Sequence, residues 1–323
     1  MDTSDPTIGI ALPYFGPFPE YAPLFFWTCG FNKSVDFYLF TDQNYEEYLP
    51  DNVHVVTMSM EEFHSLAQEK LGMIISLKFG YKLCDLKPMY GVILSDWLEG
   101  YDFWGFCDMD VLWGDIRAFA SAEWLAGTDL AAFRGKGYLS GALQLYRNVP
   151  HVNNLYQMSP NVDRVLAEER VQNFTEAGYK WGAPPRTVAE IASAGDIVSM
   201  TDIAREANQH GAIRLNTPKW ATEPSIRFHN YKYLKVDFKW DHGTLTRVSD
   251  SCNMIYMHMV YLKREKIFSF NLKKRKPKTF YIRPFGIEYI DSSNITLRIL
   301  SLMYGVTKNA GYISQRMLNR IAN

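Results

Sequence analysis

The sequence predicts an α/β domain with a mostly parallel sheet flanked by helices. Three observations carry that prediction. Short apolar runs of strand length alternate with helical stretches through the first half of the chain. Each run stops at a polar or turn-forming residue. The order strand, helix, strand, strand, helix at this spacing is that of a layered α/β fold.

Thr7–Leu12 (TIGIAL) reads as the first strand and ends at Pro13. A loop rich in Pro, Gly and aromatics follows, Pro13 to Pro19, and then a helix over Tyr21–Phe31. Val35–Phe40 is the second strand, stopping at Thr41-Asp42, and Val53–Met58 is the third. Ser59 and Glu62 fit a capping box, so a helix starts there and runs to about Ser76. Gly72–Gly100 reads as helical around Pro88, which is tolerated in a first turn. Tyr101–Cys107 (YDFWGFC) is a buried strand running straight into Asp108-Met109-Asp110, and Val111–Ile116 leads on to another helix. Asp129–Phe133 and Leu143–Arg147 are further strands, and Val152–Ala177 reads as helical. Trp181–Arg186 is a Pro-containing loop and Thr187–Gln209 is mixed. Tyr231–Trp240 and Thr244–Val248 form a hairpin around Asp241-His242-Gly243, and Met254–Val260 is a late strand. Ile295, Ile299, Leu302 and Val306, then Ile313, Met317 and Ile321, fall at helical spacing. The simplest division is a main domain over 1–265 and a basic, amphipathic extension over 266–323.

With 323 residues, 47% hydrophobic and 21% charged, the chain is globular, and disorder, collagen and coiled coil are excluded. A balance of 34 basic against 35 acidic residues argues against a nucleic-acid partner. Cys29, Cys84, Cys107 and Cys252 show no zinc spacing and read as reduced, buried cysteines. Met1–Pro6 has no signal-peptide pattern and no run reaches the roughly 18 apolar residues of a spanning helix. The expected location is therefore cytoplasmic. Aromatics at 15% suit a carbohydrate handler or an aromatic core.

Asp108 and Asp110 are the sharpest feature. Ligands of open α/β sheets bind beyond the carboxyl ends of strands, and residues i and i+2 share a face in extended chain. Two such carboxylates can hold Mg2+ or Mn2+, which neutralises a diphosphate. A bare DxD is also common in solvated turns; its place after a buried aromatic strand, where uncompensated charge is costly, favours the metal. Asp85 and Lys87, in Lys82–Gly91, lie near a helix start, where phosphate or ribose hydroxyls are met. An N-cap Asp and a solvated Lys fit the same spacing.

Together, Tyr81–Gly91 (YKLCDLKPMYG) and Tyr101–Ile116 (YDFWGFCDMDVLWGDI) resemble the signature of a bacterial family of inferred glycosyltransferases, often encoded among capsule and O-antigen genes. That family is similar to the DXD sugar-transferase group and to the lipopolysaccharide galactosyltransferase and glycogenin group. The resemblance covers roughly Thr7 to Arg264. It implies a GT-A fold, a Rossmann-like mixed sheet flanked by helices, here with a C-terminal helical extension. It also implies a divalent metal, Mn2+ or Mg2+, and a UDP-sugar donor.

Carried over residue by residue, the resemblance places the metal and donor diphosphate at Asp108 and Asp110. It places Pro13, Tyr14 and Phe15 against base and ribose, Thr41 and Asp42 at uracil, and Asp85 at the nucleotide or sugar. Ser140 and Gly141 resemble a small-residue loop where sugar and acceptor approach the backbone. His258 resembles the late histidine that completes the metal shell, with His229 second choice, and Lys263 and Arg264 resemble the basic residues on the leaving diphosphate. A lone His in an apolar strand is otherwise a core residue. Glu176, after a helix, is a candidate base or donor contact, ahead of Asp163, Glu168, Glu169 and Asp196. Gln144 faces either the sugar or outward.

Lys263–Arg283 holds nine Lys or Arg against one Glu. A charge run is usually a solvated face; beside amphipathic segments it also suits an anionic membrane edge. The function these readings point to is hexosyl transfer, galactose included, to an oligosaccharide or lipid-linked acceptor at the inner face of the membrane, tilted toward retention. The alternatives are a nucleotidyl- or phosphoryl-transferase, with the same metal logic, and a non-catalytic carbohydrate-binding subunit.

Overall fold

The computed structural model describes residues 5–45, 49–176, 186–225, 236–265, 268–270, 277–284 and 286–288. In chain order the strands are β1 (Ile8–Pro13), β2 (Val35–Thr41), β3 (Val53–Thr57), β4 (Phe103–Cys107), β5 (Val111–Trp113), β6 (Leu130–Ala132), β7 (Leu143–Arg147), β8 (Leu215–Asn216) and β9 (Ala221–Thr222). They continue as β10 (Phe238–Asp241), β11 (Thr244–Arg247), β12 (Cys252–Met254), β13 (Tyr256–His258), β14 (Thr279–Arg283) and β15 (Gly286–Glu288).

The main sheet has the order β3-β2-β1-β4-β7-β6-β8. Its β3-β2-β1-β4 half is parallel, and β7 runs antiparallel to both β4 and β6. The expected mixed α/β architecture is therefore present. Both faces are covered, which is why the strands read as near-continuous apolar runs. Ile8, Ile10 and Leu12 pack into one core with Phe37, Leu39 and Phe103, while Ala11 turns to the other with Phe40, Trp104 and Phe106. Helix α1 (Ala22–Cys29) lies over the first of these cores. Helix α2 (Met60–Leu71) packs Phe63 and Ala67 into the second; its Ser59–Glu62 capping box is formed, and left-handed Gly72 ends it. Gly91 is required on this face, because a Cβ there would sit 2.3 Å from the Trp104 indole.

A second, antiparallel sheet runs β12-β11-β10-β14-β15 over a core of Trp240, Leu245, Phe280 and Ile282. Within the stretch assigned to the extension, Thr279–Arg283 is thus a strand paired to β10, because Phe280 and Ile282 bury on that core. Lys273–Lys276, the segments from Ile295 onward, and His229 lie outside the described residues. No described helix is long and apolar enough to cross a membrane.

Two helical expectations break up. Val152–Ala177 forms only short turns, Pro150–Asn153, Leu155–Met158 and Val162–Ala167, before an irregular stretch to Glu176. Pro160 cannot donate and restricts Ser159. Further on, the N–H groups of Gln172 and Phe174 bond the Asp85 carboxylate instead of a helical carbonyl. Gly72–Gly100 likewise resolves into separate turns, Gly80–Lys82, Leu83–Leu86, Lys87–Met89, Tyr90–Ile93 and Ser95–Leu98. Among the cysteines, Cys252 is exposed rather than buried, since it follows the turn between β11 and β12; all four are free.

A third sheet, β5-β13-β9, is small but decides where the late residues go. β13 pairs antiparallel with β5, Val111 opposite His258 and Trp113 opposite Tyr256, and parallel with β9, Met257 opposite Thr222. Met259 N–H donates to Asp110 O at 2.8 Å, and Gly114 N–H to Ile255 O at 2.8 Å. A Cβ on Gly114 would lie 2.1 Å from Met254 O, a backbone atom with nowhere to go. Gly114→Ala is expected to destabilise the protein by about 1–3 kcal/mol, the usual range for overpacking, measured as a lower urea midpoint. An unchanged midpoint contradicts this account of the strand junction.

Candidate functional site

The sheet geometry opens a cavity of about 800 Å3 at the carboxyl ends of β1 and β4. Ligands of open α/β sheets collect at this kind of place. One wall is the loop after β1, Leu12 to Phe15, where Tyr14 stacks on Phe18 with ring centroids 5.7 Å apart. The floor is Cys107 to Asp110, just beyond β4. Met109 turns into the core, 4% exposed, and leaves the two carboxylates to the cavity.

His258 arrives beside them through β13. Its Nε2 lies 3.3 Å from Asp110 Oδ1 and 3.7 Å from Asp108 Oδ2. One donor atom from each of Asp108, Asp110 and His258 lies within 4.8 Å of the others. The separations to His258 are near the roughly 3 Å between adjacent ligands of an octahedral shell with bonds of about 2.1 Å. Two carboxylates and an imidazole are a donor set that can hold a divalent metal ion. The residues present fit such an ion.

Charge is balanced locally. Asp108 Oδ1 accepts a hydrogen bond from Lys87 Nζ, which also donates to Gly141 O at 2.9 Å. Asp110 Oδ2 pairs with Lys263 Nζ at 2.7 Å. Burial alone would raise the Asp110 carboxyl, but the His258 hydrogen bond and the charges of His258 and Lys263 outweigh it and hold the group below the ordinary range. Burial alone would lower His258; hydrogen bonds to Asp110 and Glu223 and the charges of Asp110 and Asp108 instead raise its pKa to about 10. Cys84 lines the wall, yet burial pushes its thiol up to about 11, so it stays protonated near neutral pH.

Pro13, Tyr14, Phe15, Lys87, Ser140, Gly141, Glu176, Lys263 and Arg264 all line this cavity beside Asp108, Asp110 and His258. Lys87 is 7% exposed and its ammonium is spent on Asp108 and Gly141, which makes it a support for Asp108. Glu176 Oε1 accepts from Gly141 N–H and Oε2 from Tyr138 O–H, both at 2.5 Å, so its carboxylate pins the Ser140-Gly141 loop.

Four expected residues are not brought to the cavity. Thr41 is buried and caps Gln43 N–H, while the Asp42 carboxylate takes Gly16 N–H at 2.8 Å. Gln144 is fully buried; its amide donates to Ser140 O and Thr175 O and accepts from Tyr146 O–H. Asp85 is fully buried and both of its carboxylate oxygens are engaged in the fold. Its Oδ2 takes Lys82 Nζ at 2.9 Å and Gln172 N–H at 2.8 Å, and its Oδ1 takes Phe174 N–H at 3.0 Å. Lys82 also donates to Val165 O and Arg170 O. The pair holds the 165–174 stretch against the short helices. Missed from sequence were Glu223 and Arg134, which sit in no motif and reach the cavity through strand pairing; Tyr81 and Tyr138 also line it, from segments singled out in the sequence for other residues.

Removing one partner of a buried ion pair leaves an uncompensated charge. Lys82→Met is therefore expected to cost about 3–5 kcal/mol of stability, read from urea unfolding. A loss under about 1 kcal/mol contradicts the strut assignment.

Curated proteins give no match. Solved structures with a likeness include glycosyltransferases. Mouse xyloside xylosyltransferase 1, apo form, is 9% identical over 70% of this chain and 90% of that one, with TM-score 0.39. The galactosyltransferase LgtC, in complex with donor and acceptor sugar analogs, is 11% identical over 78% and 86%, with TM-score 0.34. The glycosyltransferase GlyE of Streptococcus pneumoniae TIGR4 is 12% identical over 67% and 45%, with TM-score 0.32. Over residues 10–291, nearly the whole described chain, the sequence matches one protein family, and the chain belongs to that family, the family of unknown function DUF6625.

Proposed function

We propose that the protein is a metal-dependent glycosyltransferase of the GT-A type. It moves a hexose, with galactose the first candidate, from a UDP-sugar to a glycan acceptor of bacterial capsule or O-antigen synthesis, at the cytoplasmic side of the membrane. The observation that carries this reading is the convergence of Asp108, Asp110 and His258 on the floor of one cavity whose wall presents Lys263 and Arg264. The resemblance of Tyr81–Gly91 and Tyr101–Ile116 to a glycosyltransferase signature supports it. Peripheral contact with anionic lipid rests on the Lys273–Lys276 run alone.

A divalent ion held by Asp108, Asp110 and His258 supplies charge neutralisation to a donor diphosphate. Lys263 and Arg264 line the same cavity and add fixed positive charge where the leaving diphosphate gains negative charge. Pro13, Tyr14 and Phe15 form the wall for base and ribose, and Ser140 and Gly141 give the sugar close approach to backbone. Lys87 holds Asp108 in place from below.

The choice between retention and inversion turns on a base. Glu176 accepts two hydrogen bonds, and Glu223 is held by His258 and Arg134. Neither carboxylate is disposed to take a proton from an acceptor hydroxyl. This favours retention, in which an oxygen of the departing diphosphate takes that proton. Two cavity aromatics are also exposed, Tyr81 at 68% and Tyr261 at 39%. Exposed rings in a cavity suit the C–H faces of sugars.

Asp110→Ala is expected to abolish sugar transfer and metal-dependent UDP binding while keeping the fold. The check is free UDP released in a donor screen with Mn2+, with and without excess EDTA. Full turnover in EDTA removes the reading; UDP binding without turnover favours a non-catalytic subunit, and release of pyrophosphate from nucleoside triphosphates favours nucleotidyl transfer. Tyr81→Ala is expected to raise the acceptor KM roughly three- to tenfold, in line with about 0.5–1.5 kcal/mol for a ring contact. An unchanged KM with every acceptor accepted by the wild type removes the stacking role.

A further inference from the structure

The strand register places a row of charged groups across three strands. Thr222 is opposite Met257, so Glu223 lies beside His258 just past the end of β9. Val111 is opposite His258, so Asp110 lies on its other side. Arg134 follows β6 and is bridged to Lys219, just ahead of β9. The contacts follow this order. His258 Nδ1 lies 2.9 Å from Glu223 Oε1, and Glu223 Oε2 pairs with Arg134 at 2.7 Å.

An imidazole has two nitrogens, and only one of them can serve an ion on the floor of the cavity. Nε2 faces Asp108 and Asp110; Nδ1 faces Glu223. A carboxylate at Nδ1 holds the hydrogen there, so Nε2 is the nitrogen that gives up its hydrogen and offers its lone pair when an ion binds beside the two aspartates. It also sets the rotation of the ring. Glu223 is itself fixed, because its second oxygen is committed to Arg134. The remaining charged groups at the floor, Lys87 and Lys263, attend to Asp108 and Asp110 rather than to Glu223.

We propose that Glu223 is the positioning residue of the metal centre. It selects Nε2 of His258 as the ligand atom and orients it, with Arg134 holding Glu223 in turn. This rests on the metal-centre reading of Asp108, Asp110 and His258. Carboxylates in this position beside a ligating histidine commonly contribute 10–100-fold to metal affinity.

The test is Mn2+ binding to the full chain by titration calorimetry, with thermal melting in EDTA run on every variant. Glu223→Ala is expected to weaken Mn2+ binding by about 10–100-fold. Glu223→Gln keeps an oxygen that accepts from Nδ1–H and is expected to recover part of that loss. Both variants are expected to melt in EDTA close to the wild type. Wild-type Mn2+ affinity in Glu223→Ala overturns the proposal and leaves the metal centre standing. Equal weakening in the Gln and Ala variants, with both melting early, overturns it in favour of a merely structural Glu223. A wild type that binds no Mn2+, or binds it equally after His258→Ala, sinks the metal-centre reading and this proposal with it.

Discussion

The pairing of β13 with β5 is the constraint on which the site depends. Asp110 and His258 are far apart along the chain, and the register Val111 opposite His258, with Met259 N–H on Asp110 O, makes them neighbours. That register is narrow. Gly114 follows β5 and touches the backbone of Met254, so no side chain is tolerated at the junction. Trp240 from the second sheet donates its indole N–H to Trp113 O and clamps the same strand from behind. A one-residue slip would turn His258 away from the cavity and bury its neighbour there instead. The small third sheet therefore does for the late residues what the main sheet does for Pro13–Phe15 and the DxD.

The second organising feature is charge compensation in a half-buried floor. Uncompensated carboxylates are costly there. Each has a specific partner: Lys87 for Asp108, Lys263 and His258 for Asp110, Arg134 and His258 for Glu223. Glu176 is satisfied by neutral donors, Gly141 N–H and Tyr138 O–H. The same logic operates without the cavity at Lys82 and Asp85, where a fully buried pair organises 165–174 as a strut. Identical residue types thus serve two ends, and only their burial and partners separate them.

That difference explains what the sequence allowed one to read. The α/β layering was legible because β1, β2 and β4 are apolar runs with clear stops, and the Ser59–Glu62 box marked α2 without ambiguity. Asp108 and Asp110 stood out because they follow a buried strand. His258 needed a resemblance as well as its residues, since a histidine in an apolar strand carries no signal of what lies across the sheet. Asp85 and Gln144 misled for the converse reason: a polar residue beside a motif looks functional, and its commitment to the backbone, to N–H groups for Asp85 and to carbonyls for Gln144, is visible only in three dimensions. Glu223 was invisible because its role is fixed by β9 register and not by neighbours in sequence. The long helix expected over Val152–Ala177 failed where Asp85 captured its backbone N–H groups.

The most direct measurement is diffraction from crystals grown with Mn2+ and UDP, recorded at the manganese absorption edge. The account predicts one strong anomalous peak at roughly 2 Å from His258 Nε2 and from a carboxylate oxygen of each of Asp108 and Asp110, the bond length of such ligands. A peak more than about 5 Å from His258 Nε2, well outside that bonding range, or no peak on the cavity floor, contradicts it.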